Sequence, residues 1–229
     1  MKICLKLHGL GAPPKDAVSD ERSFWTGEER FARILALAGK APERIHLTFD
    51  DGNKSDARIA LPALMDAGLK ASFFFSTDFI GTPGYANEDD IRALAAAGME
   101  IGSHGCHHTS WLSLSGDEIN EDVIRSFARL QTILGEAVDV VAAPYGDCDF
   151  RVLHILHRLR IRQVYTSLPG PTLRNDWLVR RHCVTSDTTP ETIIRWLTRH
   201  YGPLDSARAF WNGWRQAGPA ALWRTEGTD

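Results

Sequence analysis

The chain has little excess charge, no long apolar run and no paired cysteines, and each absence removes a class of function. Its 229 residues carry 26 lysines and arginines against 29 aspartates and glutamates, a net charge of −3. Such a balance leaves no electrostatic footprint for nucleic acid or an anionic membrane. No segment reaches the roughly 20 apolar residues that a spanning helix needs. The opening Met1-Lys2-Ile3-Cys4-Leu5-Lys6-Leu7-His8-Gly9 lacks the apolar core of a secretion signal. Cys4, Cys106, Cys148 and Cys183 are far apart with no CxxC, so neither a thiolate zinc site nor a disulfide framework is indicated. These features lead to the expectation of a cytoplasmic protein with reduced thiols.

What is present is an alternation of apolar runs and helical patterns. Strands are expected at 3–7, 44–49, 71–75, 100–103, 138–142, 163–166 and 178–184. Helices are expected at 28–38, 56–67, 88–97, 116–134, 150–159 and 190–200. Ile91, Leu94 and Ala95 have the spacing that lets a helix cover a sheet. Gly68, Gly98, Gly135 and Gly202 stand just past helix ends, the place of a left-handed cap. Repeated strand–helix units imply a parallel sheet or barrel, whose sites collect at the C-terminal ends of the strands. The stretch 203–229, with Trp211, Trp214 and Trp223, reads as a helical extension docked on a barrel formed by residues 1–202.

Two polar clusters sit at expected strand ends. Thr48-Phe49-Asp50-Asp51-Gly52 closes the second strand. Asp-Gly alone is an ordinary turn signal. Neighbouring strand residues point to opposite faces, however, so one carboxylate can hold a metal while the other handles a proton. The fourth strand runs into His104-Gly105-Cys106-His107-His108, with His104 and His108 one helical turn apart. One aspartate and two histidines form a common hydrolytic metal set.

These residues resemble the polysaccharide deacetylases, the NodB-homology group of carbohydrate esterases, over about residues 8–200. Thr48-Phe49-Asp50-Asp51-Gly52 is similar to the first family motif, His104 to His108 to the second, and Pro144-Tyr145-Gly146 to the third. The resemblance implies an α/β fold, a distorted (β/α)7-type barrel. It implies a hydrolase that removes an N-acyl group, acetyl or formyl, from an amino sugar of a bacterial surface glycan or its precursor. An O-acetyl esterase, a small-amide hydrolase or a catalytically impaired glycan-binding protein on the same scaffold are the alternatives. Asp51, His104 and His108 would hold one divalent metal, zinc first, with nickel or cobalt as alternatives. Asp50 would be the general base, and the Tyr145 N–H, set by Pro144, would help hold the oxyanion. The partner implied is a carbohydrate.

The chain departs from the family pattern twice. Ala142-Ala143 stands where many members carry the arginine that orients the base. Arg181, in Arg180-Arg181-His182-Cys183-Val184, resembles an arginine that a subgroup acting on exopolysaccharides carries on a late strand instead. The last motif, leucine–x–histidine, which supplies the general acid, is not found. His8 can enter from the barrel mouth, and His107 or His182 can stand in as acid, though a structural histidine is the commoner role. Trp25 and Trp111 can stack on a sugar, though tryptophan more often packs in a core.

Overall fold

A computed structural model of the chain describes residues 2–14, 22–172 and 176–199. Among them eight parallel strands form one sheet: β1 (Ile3–Leu7), β2 (Ile45–Phe49), β3 (Ala71–Phe75), β4 (Glu100–Ser103), β5 (Val140–Ala142), β6 (Gln163–Tyr165), β7 (Leu178–Val179) and β8 (Arg181–Cys183). Their order is β7-β6-β5-β4-β3-β2-β1-β8. β7 pairs with β6 and β8 pairs with β1, and Arg180 alone separates β7 from β8. The two edges of the sheet therefore come together, and the sheet curls into a nearly closed barrel. The strand expected at 178–184 forms as two halves because each half bonds to a different neighbour. Between them the Arg180 N–H leaves the ladder and donates to Thr172 Oγ1 at 2.9 Å.

Six α-helices cover the barrel: α1 (Glu28–Lys40), α2 (Leu61–Asp66), α3 (Glu88–Ala96), α4 (Gly116–Leu134), α5 (Phe150–Arg158) and α6 (Pro190–Thr198). α1 buries Phe31, Ile34, Leu35 and Ala38, one stripe at helical spacing. That stripe joins Leu5, Leu7, Leu47, Phe49 and Phe73 in the main apolar core. Phe49 stacks on Phe73 with ring centroids 4.7 Å apart, and Phe31 meets Phe49 edge-on. The alternate strand residues Cys4, Phe74, Val140, Ala142 and Tyr165 form a second cluster. β3 is buried along its whole length, as expected of a strand covered on both faces.

The helix ends explain where the chain turns. Ser115 and Glu118 form a capping box at the start of α4, and Gly135 ends it in the left-handed conformation with φ 76°. α5 is capped by Asp149, which accepts from the Val152 N–H at 2.8 Å, while Asp147 accepts from Ser110 instead. The helix expected at 56–67 differs: it begins as a π-helical stretch, Asp56–Ala60, before α2. Wide turns of this kind recur at functional sites. All four cysteines are free thiols. Among the described residues no helix is long and apolar enough to cross a membrane. The extension expected over 203–229, with Trp211, Trp214 and Trp223, lies outside the described residues, as do His200 and Gly202.

Candidate active site

Asp50 follows β2 and is buried. Arg181, the first residue of β8, is 0% exposed and grips both carboxylate oxygens of Asp50. Its Nη1 donates to Oδ1 at 2.6 Å and its Nη2 to Oδ2 at 2.8 Å. Nη1 also donates to Thr48 Oγ1 at 3.2 Å, and Nε to the Thr166 carbonyl at 2.9 Å. The guanidinium lies over the Phe74 and Tyr165 rings at 5.6 and 5.8 Å. This two-pronged contact fixes the plane of the carboxylate. Burial pushes the Asp50 carboxyl upward, but Arg181, with His104 and Lys6, outweighs it and holds the group well below the usual carboxylate range. Asp50 is thus ionised and oriented.

Asp51 turns the other way and meets two histidines. Its Oδ1 is 3.5 Å from His104 Nε2 and 3.3 Å from His108 Nε2. One donor atom from each of the three residues lies within 4.8 Å of the others. His104 Nδ1 is 2.8 Å from the Ala142 carbonyl; that contact sets the proton on Nδ1 and leaves the Nε2 lone pair facing Asp51. Burial lowers His104 to about 3, against the pull of Asp50, and lowers His108 as well. A carboxylate and two neutral imidazoles are donors that a divalent cation of the zinc type accepts, so the residues present fit such an ion. Asp50 Oδ2 stands 3.9 Å from His104 Nε2, beside that donor set.

The backbone is strained here. Asp51, His108 and Tyr145 have φ of 76°, 54° and 59°, and among the described non-glycine residues only Arg160 is also left-handed. The conformation costs a side-chain-bearing residue roughly 1–2 kcal/mol. Such strain collects where a fold over-determines a functional geometry. Gly52 continues the turn at φ 75°, where an added Cβ would lie 2.5 Å from the Phe75 ring. Pro144 is buried and opens the turn Pro144–Gly146; Tyr145 is 60% exposed. The Tyr145 ring sits 4.5 Å from that of His108.

Other expected site residues scatter. His8 follows β1, its ring 4.9 Å from that of Phe24. Burial lowers His8 to about 3, with Lys6 acting in the same direction. Trp111 is a correction: it is fully buried in the cluster with Val123 and Val152. Its Nε1 donates to Asp122 at 2.9 Å, so it has no face to offer a sugar. Trp25 packs over Gly9, where an added Cβ would meet its ring at 2.4 Å. His182 stacks on Trp196 of α6 at 4.4 Å. His107 is held on the surface by Asp78 at 2.6 Å.

Buried neutral histidines make the fold acid-sensitive. Burial lowers His46 from 6.5 to about 4 and His8 from 6.5 to about 3. A group depressed in this way binds its proton first in the unfolded chain. The stability it supports is full above the unfolded value of 6.5 and drains as pH falls toward the folded values. The urea midpoint is expected to drop steadily between pH 6.5 and about 4; a flat profile would mean these rings accept protons while folded.

The family model for polysaccharide deacetylases matches residues 38–164, more than half of the chain. The chain belongs to the polysaccharide deacetylase family. It is 26% identical over 198 residues to chitin deacetylase 1 of Cryptococcus neoformans, covering 83% of this chain and 41% of that protein. It is 26% identical over 133 residues to the peptidoglycan-N-acetylglucosamine deacetylase of Bacillus cereus, covering 56% of this chain and 46% of that protein. The chain thus spans less than half the length of these two curated relatives. Among solved structures, the Streptococcus pyogenes deacetylase PplD in complex with acetate superposes with a TM-score of 0.77 at 17% identity, over 86% of this chain and 98% of that one. IcaB from Ammonifex degensii superposes with a TM-score of 0.70 at 20% identity, over 87% and 98%. Both likenesses are of fold.

The family match takes in Asp50, Asp51, His104, His108 and Tyr145 but stops before Arg181. Two pocket residues, Thr48 of the first motif and Lys6, were given no role from the sequence. Thr48 Oγ1 donates to the Leu5 carbonyl at 3.1 Å and so stands ready to accept from Arg181. Lys6 is buried among apolar neighbours; a lone charge inside an apolar strand was the signal that could have flagged it.

Proposed function

We propose that the chain is a metal-dependent amide hydrolase that removes an N-acetyl or N-formyl group from an amino sugar of a bacterial surface glycan or its precursor. The observation that carries this reading is the convergence of Asp51, His104 and His108 beside an ionised Asp50 clamped by Arg181. Asp51, His104 and His108 would hold the cation, with zinc first and nickel or cobalt as alternatives for this N/O donor set. Bound there, the ion would polarise the acyl oxygen and make a water acidic enough to ionise near neutral pH. Asp50 takes the proton from the attacking water. Arg181 keeps Asp50 ionised and holds its plane. Tyr145, turned by its positive φ, offers its N–H to the oxygen where negative charge grows. The names of the fungal and Bacillus relatives, which refer to chitin and to peptidoglycan N-acetylglucosamine, favour an N-acetylated amino sugar.

The test is release of acetate or formate from acylated amino sugars, run beside O-acetyl sugars to separate amide from ester hydrolysis. Elemental analysis is expected to find about one divalent ion per chain, and chelation to remove turnover and lower the melting temperature. No acyl release from any amino sugar by metal-loaded protein would refute the reading.

A further inference from the structure

Lys6 is the one charged residue of β1, between Leu5 and Leu7, and is 6% exposed. Lysine is seldom buried unless paired. Its Nζ donates to Ser167 Oγ at 2.8 Å, the one hydrogen bond it makes among the described residues. By register Lys6 stands level with Thr48 of β2, the residue that helps hold Arg181. Its charge acts on Asp50, His8 and His108. Ser167 in turn packs on Gly146, where an added Cβ would fall 2.1 Å from the serine oxygen. The Lys6 ammonium therefore ends beside the Pro144–Gly146 turn, within electrostatic reach of the base and of one metal-donor histidine.

Breaking an amide, unlike breaking an activated ester, requires a proton on the departing nitrogen. Apart from Asp56, the other groups around the pocket are committed. Asp50 is ionised with both oxygens on Arg181, and an arginine does not give up a proton. His104 and His108 face Asp51. His182 packs on Trp196 and His107 on Asp78. Burial keeps the His8 ring neutral. Asp56 is the exception: it is fully buried, and burial with the nearby Asp51 and Asp50 raises its carboxyl well above the usual carboxylate range.

We propose that Lys6 is the catalytic residue that protonates the leaving nitrogen, a role that rests on the amide-hydrolase reading above. In this step the C–N bond of the tetrahedral adduct breaks and its electron pair goes to nitrogen. The nitrogen takes a proton from Lys6 Nζ, and the carboxylic acid and the free amine separate. The neutral Lys6 amine then recovers the proton that Asp50 took from water, so both groups return to their starting states.

The experiment uses the whole metal-loaded chain and two substrates. One is an N-acetyl amino sugar, whose amine needs a proton to leave. The other is an aryl acetate, whose phenolate does not. Amide turnover by the unaltered protein, lost in Asp50→Asn, first establishes the hydrolase reading. Lys6→Met is then expected to lower kcat on the amide by roughly 10²–10⁴-fold while changing aryl acetate turnover less than about tenfold, with metal content and melting temperature retained. Lys6→Arg keeps the charge but not the transferable proton and should fail as Lys6→Met does. Equal loss on both substrates, recovery in Lys6→Arg, or an unchanged amide rate would each overturn the proposal. If Lys6→Met does not fold, Ser167→Ala removes the hydrogen bond that aims Nζ. It should lower the amide-to-ester rate ratio, and an unchanged ratio would overturn the proposal equally.

Discussion

Asp50→Asn should cut turnover by roughly 10²–10⁴-fold and leave the bound metal in place. The amide has nearly the shape of the carboxylate but cannot take a proton from water. Asp50 is not one of the three convergent donors, so metal content should be unchanged. The substitution also replaces an anion that Arg181 grips through both oxygens. Removing one partner of a buried pair costs up to about 3–5 kcal/mol; asparagine, which keeps one acceptor oxygen, should cost less than that ceiling. Steady-state kinetics, elemental analysis and urea denaturation on the same preparation separate these effects. Turnover that survives with the metal bound would remove Asp50 from the chemistry. Unchanged glycan binding with turnover lost would fit a base and argue against a protein built only to bind.

Arg181→Met carries the second large effect, on stability as well as rate. Arg181 has no exposed surface, and its guanidinium is the chief force lowering the Asp50 carboxyl. Without it the buried carboxylate lacks its cation, at a cost of about 3–5 kcal/mol at neutral pH. The pH dependence reverses in sign. In the native chain Asp50 is depressed on folding, so its pairing supports the fold above the unfolded carboxylate value of 3.8 and fades only as pH falls through the folded value. In the variant only His104 and Lys6 are left to oppose burial, the largest influence on the group, and the carboxyl rises. That group then favours the fold at low pH and opposes it as pH rises. The stability gap between native chain and variant is therefore expected to be wide at pH 8 and narrower at pH 5, with the acid limb of the activity profile moved upward. A gap equal at both values would mean that Arg181 contributes packing and not charge.

Much of this was legible in the chain. The all-apolar strands, the glycines past helix ends and the regular alternation of periods point to a parallel sheet or barrel, because each is a local property of consecutive residues, and the resemblance to the family chose the barrel. Asp50, Asp51, His104 and His108 stood out for the same reason: they lie at strand ends in short contiguous motifs. Arg181 was reachable through its place beside a late strand, though nothing in Arg180-Arg181 states which one turns inward. The barrel decides it, because Arg181 shares a register with Cys4 of β1 while Arg180 sits at the break between β7 and β8. Trp111 was misread because burial depends on what a loop packs against, here α4 and α5.

The sequence by itself determined the alternation of strands and helices and which side chains have the chemistry to bind a cation and move a proton, since these follow from residue types and short-range spacing, and its motifs carried the resemblance that implied the family and the barrel. Only the tertiary structure decided which charges meet. The Arg181–Asp50 clamp spans 131 residues and the Lys6–Ser167 contact 161. The left-handed turns at Asp51, His108 and Tyr145 are conformations that isolated residues of these types avoid. Contacts so distant in the chain, and strain of this kind, exist only when a nearly closed barrel brings its strand ends to one mouth and holds them there.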